Sequence, residues 1–301
     1  MKHVISCEQY TKETLEELYE LTDKIVKDPA KYSKALEGKI VSVVFYEPST
    51  RTRLSFESAI HRLGAKYIAT ENAKADSSAS KGETLEDTIR VIQGYSDAIV
   101  LRHSDADSSK KAVSVSTVPI LNAGAGGGEH PTQGLLDIYT VREYKGKLNG
   151  LKVGILGDLL YGRTVHSMLK LISLYENITV YGLSKKAFAL PQEYIDLLEK
   201  RNVKYIVCES FEDMPKDMDV LYHTRIQAER FEGDFGKEEF IINKEVLDKF
   251  SKDTIVLHPL PRVGEIATDV DDDPRALYFK QAHNGIPIRM ALLLQVFNKE
   301  Q

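Results

Sequence analysis

The strongest constraint on this chain is a rhythm of short β-branched runs, each followed by an amphipathic helical stretch. Ile40–Phe45 reads as a buried strand, and Leu54, Phe56, Ala59 and Leu63 mark a helix ending near Gly64. Lys66–Ala69 is a second strand. Leu85, Ile89 and Ile92 form a helical stripe, before strands at Ala98–Leu101 and Val118–Leu121. An N-terminal helix with Leu15, Leu18, Thr22 and Ile25 on one face precedes them. The rhythm then restarts, with strands at Lys152–Leu156, Ile178–Tyr181, Lys204–Val207, Asp219–Tyr222 and Thr254–Leu257. Strands that alternate with helices require parallel sheets covered by helices on both faces. One sheet of nine strands would satisfy this. The long helical pattern Pro131–Tyr144, followed by Gly146 and Gly150, points instead to a bridge between two sheets. The expected fold is thus α/β, two doubly wound parallel-sheet domains joined by a bridging helix, over residues 1–134 and 135–287. The last apolar helix, Ile288–Phe297, can pack on either domain, and residues 288–301 are assigned to the first.

Bulk properties remove several function classes. A formal net charge of −5 argues against a general nucleic-acid binder, though not against a local basic pocket. Cys7 and Cys208 are far apart, so a disulfide framework is not expected and a reducing, cytoplasmic home is the simpler reading. Glu8, Lys12 and Glu13 deny the N-terminus the apolar core of a signal peptide. No apolar run approaches the roughly 20 residues that span a bilayer, so no membrane partner is expected.

Open parallel sheets bind ligands at the carboxyl ends of their strands, where helix N-termini present unpaired N–H groups. The turn after the first strand, Pro48-Ser49-Thr50-Arg51-Thr52-Arg53, places three hydroxyls and a guanidinium in the first turn of a helix. Hydroxyls, free N–H groups, the positive helix end and a forked Arg together suit a phosphate. A helix capped by Ser or Thr, with solvated arginines, would be the plainer outcome. No G-x-x-x-x-G-K-[ST] loop occurs.

That turn resembles the signature of the carbamoyltransferases. Further matches follow in chain order: Lys81-Gly82-Glu83-Thr84, Arg102-His103, His130-Pro131-Thr132-Gln133, Gly157–Ser167, Thr224-Arg225-Ile226-Gln227 and His258-Pro259-Leu260-Pro261-Arg262. The details are similar to the aspartate-using branch of that family. The resemblance implies transfer of the carbamoyl group of carbamoyl phosphate to the amine of L-aspartate, a step of pyrimidine biosynthesis, with no cofactor; neither His130 nor His258 has partners at metal-ligand spacing, so no metal is expected. The first domain would then bind carbamoyl phosphate and the second aspartate.

Carried over from the family, Ser49, Thr50, Arg51 and Thr52 bind the phosphate. Thr52, Arg102 and His130 surround the carbamoyl oxygen, which becomes an oxyanion under attack. Gln133 and the backbone carbonyl of Leu260 take the carbamoyl NH₂. Arg163, Arg225 and Gln227 grip the aspartate carboxylates. Ser77 and Lys81 would reach a neighbour's site, with Lys81 near both substrates, which implies a homotrimer with shared active sites. Glu47 would bridge to Arg163 and Arg230 on domain closure, and His258 reads as structural. A separate regulatory chain is a further partner that the family allows.

Three departures from the family stand out. Gly124-Ala125-Gly126-Gly127-Gly128-Glu129 lacks an acidic residue at Ala125 and suggests a loose approach to His130. Ala228 replaces a usual lysine, and Arg230–Phe250 is a few residues short. Two rivals remain open: an ornithine-type carbamoyltransferase, whose substrate ammonium paired arginines would repel, and a non-catalytic oligomeric relative. A dinucleotide-binding G-x-G-x-x-G turn follows none of the expected strands.

Overall fold

Parallel ladders bury both faces of their strands, and the β-branched runs of this chain fill two such ladders. The computed structural model describes residues 2–71, 73, 81–227 and 240–298. It divides into two units, residues up to Thr132 with those from Asn284 onward, and Gln133–His283.

In the first unit, β1 (Ile40–Phe45), β2 (Lys66–Thr70), β3 (Ala98–His103) and β4 (Ile120–Ala125) form a parallel sheet in the order β2-β1-β3-β4. Val4 adds a parallel bridge beside β4, donating to the Ile120 carbonyl at 2.9 Å and accepting from Asn122 N at 2.7 Å. Strand β4 starts two residues later than the expected Val118. Pro119, just before it, has no N–H to give the ladder, and only its carbonyl joins, accepting from Ile99 at 2.8 Å.

The helices of this unit are α1 (Lys12–Lys27), α2 (Thr50–Arg62), α3 (Leu85–Ile92) and α4 (Ser108–Val115). Thr11 and Thr14 cap α1 reciprocally, and Leu15, Leu18, Thr22 and Ile25 are buried as the periodicity predicts. In α2, Phe56, Ala59 and Ile60 are buried, but Leu54 is 56% exposed. Two residues apart on a helix means roughly 200° of rotation, so Leu54 cannot share the face of Phe56.

The bridging pattern forms α5 (Pro131–Lys145), and the unit boundary falls in its first turn. The second unit then holds β5 (Lys152–Gly157), α6 (Arg163–Ile172), β6 (Thr179–Leu183), α7 (Gln192–Lys200), β7 (Lys204–Cys208), β8 (Val220–Thr224), α8 (Lys244–Leu247) and β9 (Ile255–Leu257). Its sheet is parallel throughout, in the order β7-β6-β5-β8-β9.

Helix α9 (Tyr278–Val296) starts ten residues before the expected Ile288 and contains Pro287. Its second half is buried with the first unit. There Arg289 donates to Thr132 Oγ1 at 3.4 Å and lies 5.0 Å from the Phe56 ring. The return of the C-terminal helix to the first domain is thereby found. Among the described residues no helix is long and apolar enough to cross a membrane.

In each sheet the strand order reverses once, between β1 and β3 and between β5 and β8. Crevices open at such switch points, at the carboxyl ends of the strands. The register sets Phe45 beside Arg102 in one unit and Gly157 beside Thr224 in the other. Arg102 is itself one of these four positions, and Ser49–Thr52, Arg163 and Arg225 lie in the segments that follow the other three.

Candidate active site

In the first unit the chain leaves β1, and Tyr46 N donates to the Arg102 carbonyl at 2.9 Å, which keeps the two strand ends together. Ser49 then caps α2 in an extended conformation, yet its hydroxyl makes no capping hydrogen bond. The plain reading of a Ser-capped helix is not what folds. The hydroxyl and the first helical N–H groups are left to face a ligand. Arg51 adds a guanidinium whose pKa is lowered by desolvation, and among the described residues no acid contributes. The next arginine contrasts with it, since Arg53 is paired with both Glu57 and Glu71. Hydroxyls, N–H groups and an arginine with no acidic partner among the described residues can form a place for a phosphate.

Beside this turn, Thr52 is buried and its Oγ1 lies 3.4 Å from Nε2 of the buried His130. Arg102 donates to the Ala123 carbonyl at 3.2 Å and sits 3.7 Å from a Glu47 carboxylate oxygen. The structure therefore brings Thr52, Arg102 and His130 together in one unit, and Glu47 with them.

Gly124 permits this cluster. Its φ is +121°, and a Cβ there would stand 2.9 Å from Arg102 Nη1 and 3.5 Å from the His130 ring. Gly124→Ala is expected to lower kcat at least tenfold by displacing the Arg102 guanidinium, since small misplacements at a reacting centre cost roughly 10²-fold. Steady-state kinetics beside a thermal midpoint check this, and unchanged kcat in a folded variant contradicts it.

The glycine segment before His130 is held more firmly than its composition suggests. Ala125 N donates to the Glu129 carbonyl at 3.1 Å, and Gly126 N to the His103 carbonyl at 2.8 Å. The Glu129 carboxylate accepts from Ser6 Oγ at 2.9 Å and Cys7 N at 2.6 Å, which ties the segment to the turn that follows Val4.

In the second unit, Gly157 ends β5 with φ +95°, where a Cβ would stand 2.0 Å from the Thr224 carbonyl. Only glycine lets the ends of β5 and β8 approach this closely. Asp158, fully buried, then accepts from Tyr161 N at 2.8 Å and from Gln227 N at 3.0 Å. Gln227 also donates to the Tyr161 carbonyl. Asp158 thus clamps the segment bearing Arg225 and Gln227 to the turn that leads into Arg163, the first residue of α6. Sequence reasoning gave Asp158 no role. Its place directly after a strand-ending glycine was the available signal.

Gln133, on α5, donates from Nε2 to Asp137 at 2.8 Å, which leaves its Oε1 available as an acceptor. Leu260 has φ +55° and a cis bond to Pro261, and its N–H donates to His258 Nδ1 at 2.7 Å. Nε2 of the buried His258 bonds Glu265 Oε1 at 2.7 Å. Lys81 is exposed, while Ser77, Ala228 and Arg230 lie outside the described residues. Among the described residues no group of three His, Cys, Asp or Glu is placed to hold a metal ion.

The His258–Glu265 pair yields a stability prediction. Burial, the largest influence on Glu265, pushes its pKa up. The hydrogen bond from His258 Nε2, with the Val263 N–H, outweighs burial and holds it at about 2, against an ordinary 4.5. Stability from this carboxylate is complete above pH 4.5 and is lost as pH falls toward 2. Glu265→Gln is expected to cost about 3 kcal/mol at pH 6 and to flatten the fall in urea midpoint between pH 5 and pH 3. An unchanged slope contradicts it.

Two family models cover the chain: the carbamoyl-P binding domain of aspartate/ornithine carbamoyltransferase over residues 2–143, and its Asp/Orn binding domain over residues 149–296. The aspartate carbamoyltransferase catalytic subunit of Methanocaldococcus jannaschii is 47% identical over 100% of this chain and 99% of its own length. That of Clostridium novyi is 46% identical over 99% of both. A crystal structure of the M. jannaschii catalytic subunit superposes with a TM-score of 0.91 over 99% of this chain and 98% of that one, at 46% identity. Trypanosoma cruzi aspartate transcarbamoylase in complex with N-(phosphonacetyl)-L-aspartic acid also superposes at 0.91, with 38% identity over 97% of this chain and 94% of that one. With both family models matched and relatives of this similarity over its whole length, the chain belongs to the aspartate/ornithine carbamoyltransferase family.

Proposed function

We propose that this chain transfers the carbamoyl group of carbamoyl phosphate to L-aspartate, giving N-carbamoyl-L-aspartate and phosphate in pyrimidine biosynthesis. The observation that carries the reading is the turn at Ser49–Thr52, with its uncapped Ser49 hydroxyl and desolvated Arg51, beside the Thr52, Arg102 and His130 cluster. T. cruzi aspartate transcarbamoylase has been crystallised with carbamoyl phosphate and aspartate, which supports it.

Ser49, Thr50, Arg51 and Thr52 hold the phosphate. The amine lone pair of aspartate forms a bond to the carbonyl carbon, and the carbonyl electrons move onto oxygen, where Thr52, Arg102 and His130 supply donors and charge. These contacts strengthen as the oxyanion develops, so they act on kcat. Collapse of the tetrahedral species breaks the bond to the phosphate oxygen, and the departing phosphate takes the amine proton. Gln133 Oε1 and the Leu260 carbonyl accept from the carbamoyl NH₂. Arg163, Arg225 and Gln227 hold the two carboxylates of aspartate, with Glu47 and Arg230 assigned to domain closure. Residues 1–134 with 288–301 are the carbamoyl-phosphate domain, and 135–287 the aspartate domain.

The working form is a homotrimer in which Ser77 and Lys81 complete a neighbour's site. Exposed Leu54 and Ile68, on α2 and the edge strand β2, support self-association. Two buried free cysteines, Cys7 and Cys208, support a reducing, cytoplasmic home.

Phosphate release from carbamoyl phosphate, followed with aspartate or ornithine as acceptor, tests the reading. Turnover that requires aspartate supports it. Turnover with ornithine alone reassigns Arg163 and Arg225, and none with either in a folded oligomer leaves the non-catalytic relative.

A further inference from the structure

Asp137 lies one turn after Gln133 on α5, wholly buried, and it is unused in the mechanism above. Three side chains converge on it. Gln133 Nε2 donates to Oδ1 at 2.8 Å, Gln281 Nε2 to the same oxygen at 2.6 Å, and the Tyr222 hydroxyl to Oδ2 at 2.8 Å. Donors on both oxygens suit an ionised carboxylate, which can only accept. Burial, and then the Asp137 charge, keep the Tyr222 proton in place, pushing its pKa well up. A buried polar cluster of this kind is seldom a gain in stability over well-packed apolar residues, so its use lies elsewhere.

What the cluster does is orient amides. A glutamine presents either its NH₂ or its oxygen, and an acceptor-only neighbour decides which way it turns. Gln133 gives its NH₂ to Asp137 and turns Oε1 away. Gln281, itself fully buried, does the same, and its Oε1 accepts from His258 N at 2.8 Å. His258 Nδ1 in turn accepts from Leu260 N at 2.7 Å. One carboxylate is therefore linked to the Gln133 carbonyl and, through Gln281 and His258, to the Leu260 backbone. All of these residues belong to the second unit.

We propose that Asp137 is a positioning residue for carbamoyl recognition, fixing Gln133 Oε1 and the Leu260 carbonyl as the two acceptors for the substrate NH₂. The proposal rests on the roles given above to Gln133 and Leu260. A carbamoyl NH₂ carries two donors, and a Gln133 turned the other way would set NH₂ against NH₂. The consequence is selectivity for a carbamoyl over an acetyl group, which has the same shape but a methyl in place of NH₂. Sites built to bond a polar hydrogen reject the analogue lacking it because their own acceptors are left unpaired.

The test compares the KM for carbamoyl phosphate with the Ki of acetyl phosphate as a competitive inhibitor, in the full chain. Asp137→Asn keeps the shape but offers an amide that can donate to Gln133 and let it turn round. We expect carbamoyl phosphate to weaken roughly tenfold or more while acetyl phosphate changes less than about threefold, so that the selectivity ratio collapses. A merely structural role weakens both ligands alike, and that outcome, or an unchanged ratio, overturns the proposal. Gln133→Ala separates the two layers of the argument. If it leaves the ratio intact, the assignment of Gln133 to the NH₂ fails. If it collapses the ratio and Asp137→Asn does not, the positioning role alone fails. Should Asp137→Asn not fold, Gln281→Met cuts the link to His258, and a fall in the same ratio supports the Leu260 arm while no change overturns it.

Discussion

Arg102→Ala is expected to yield a folded chain whose kcat is lower by about 10²–10³, with the KM for aspartate changed far less. The guanidinium stands at the carboxyl end of β3 with its side chain 11% exposed, bonded to the Ala123 carbonyl and 3.7 Å from Glu47. Its position is set before substrate arrives, so little reorganisation is left for the reaction. Such a donor matters most when charge reaches the carbonyl oxygen, which places the loss in kcat and corresponds to about 3–4 kcal/mol of barrier. Arg102→Lys should restore only part of the rate, since an ammonium lacks the fork that reaches the oxyanion and Ala123 together. Phosphate-release kinetics beside a thermal midpoint decide the matter. A loss below tenfold in kcat, or an effect confined to KM, would remove Arg102 from the reacting centre.

Arg225→Ala is expected to act on the other substrate, raising the KM for aspartate by about 10²-fold and leaving carbamoyl phosphate binding in place. A forked guanidinium on a carboxylate contributes roughly 1.5–3 kcal/mol, and that is the scale of the loss. Succinate, which has the two carboxylates of aspartate but no amine, gives a reading free of chemistry. Its inhibition constant should rise in parallel with the aspartate KM. If the KM rises and the succinate constant does not, Arg225 serves the amine or the reaction rather than the carboxylates. Asp158 joins the same argument from a distance, because its bonds to Tyr161 N and Gln227 N hold that segment.

The alternation of β-branched runs with helical stripes was enough to read two parallel sheets, because nothing else buries both faces of so many short strands. The site residues were legible because parallel sheets put ligands at strand ends, and the unusual residues follow Phe45, Leu101, Ala125, Gly157 and Thr224. Three things escaped. Leu54 reads as core from its hydrophobicity, although its angle round α2 points it outward. The glycine-rich approach to His130 reads as loose because composition does not show Glu129 reaching Ser6 and Cys7, more than a hundred residues away. Asp137 and Asp158 read as ordinary polar residues, since what makes them matter is burial beside amide donors brought in from distant parts of the chain.

The second half of α9 belongs to the first unit although the chain reaches it last. The order in which the two units can be completed therefore runs against the order of synthesis. Gln133–His283 is a continuous stretch and can close its core as soon as it clears the ribosome. The first unit begins earlier but must wait with an open flank for Ile288, Leu292 and Leu293, all fully buried in the finished fold. During that interval the nascent chain carries an apolar groove that the second half of α9 will fill. Truncation before Ile288 would leave that flank of the first unit open for good.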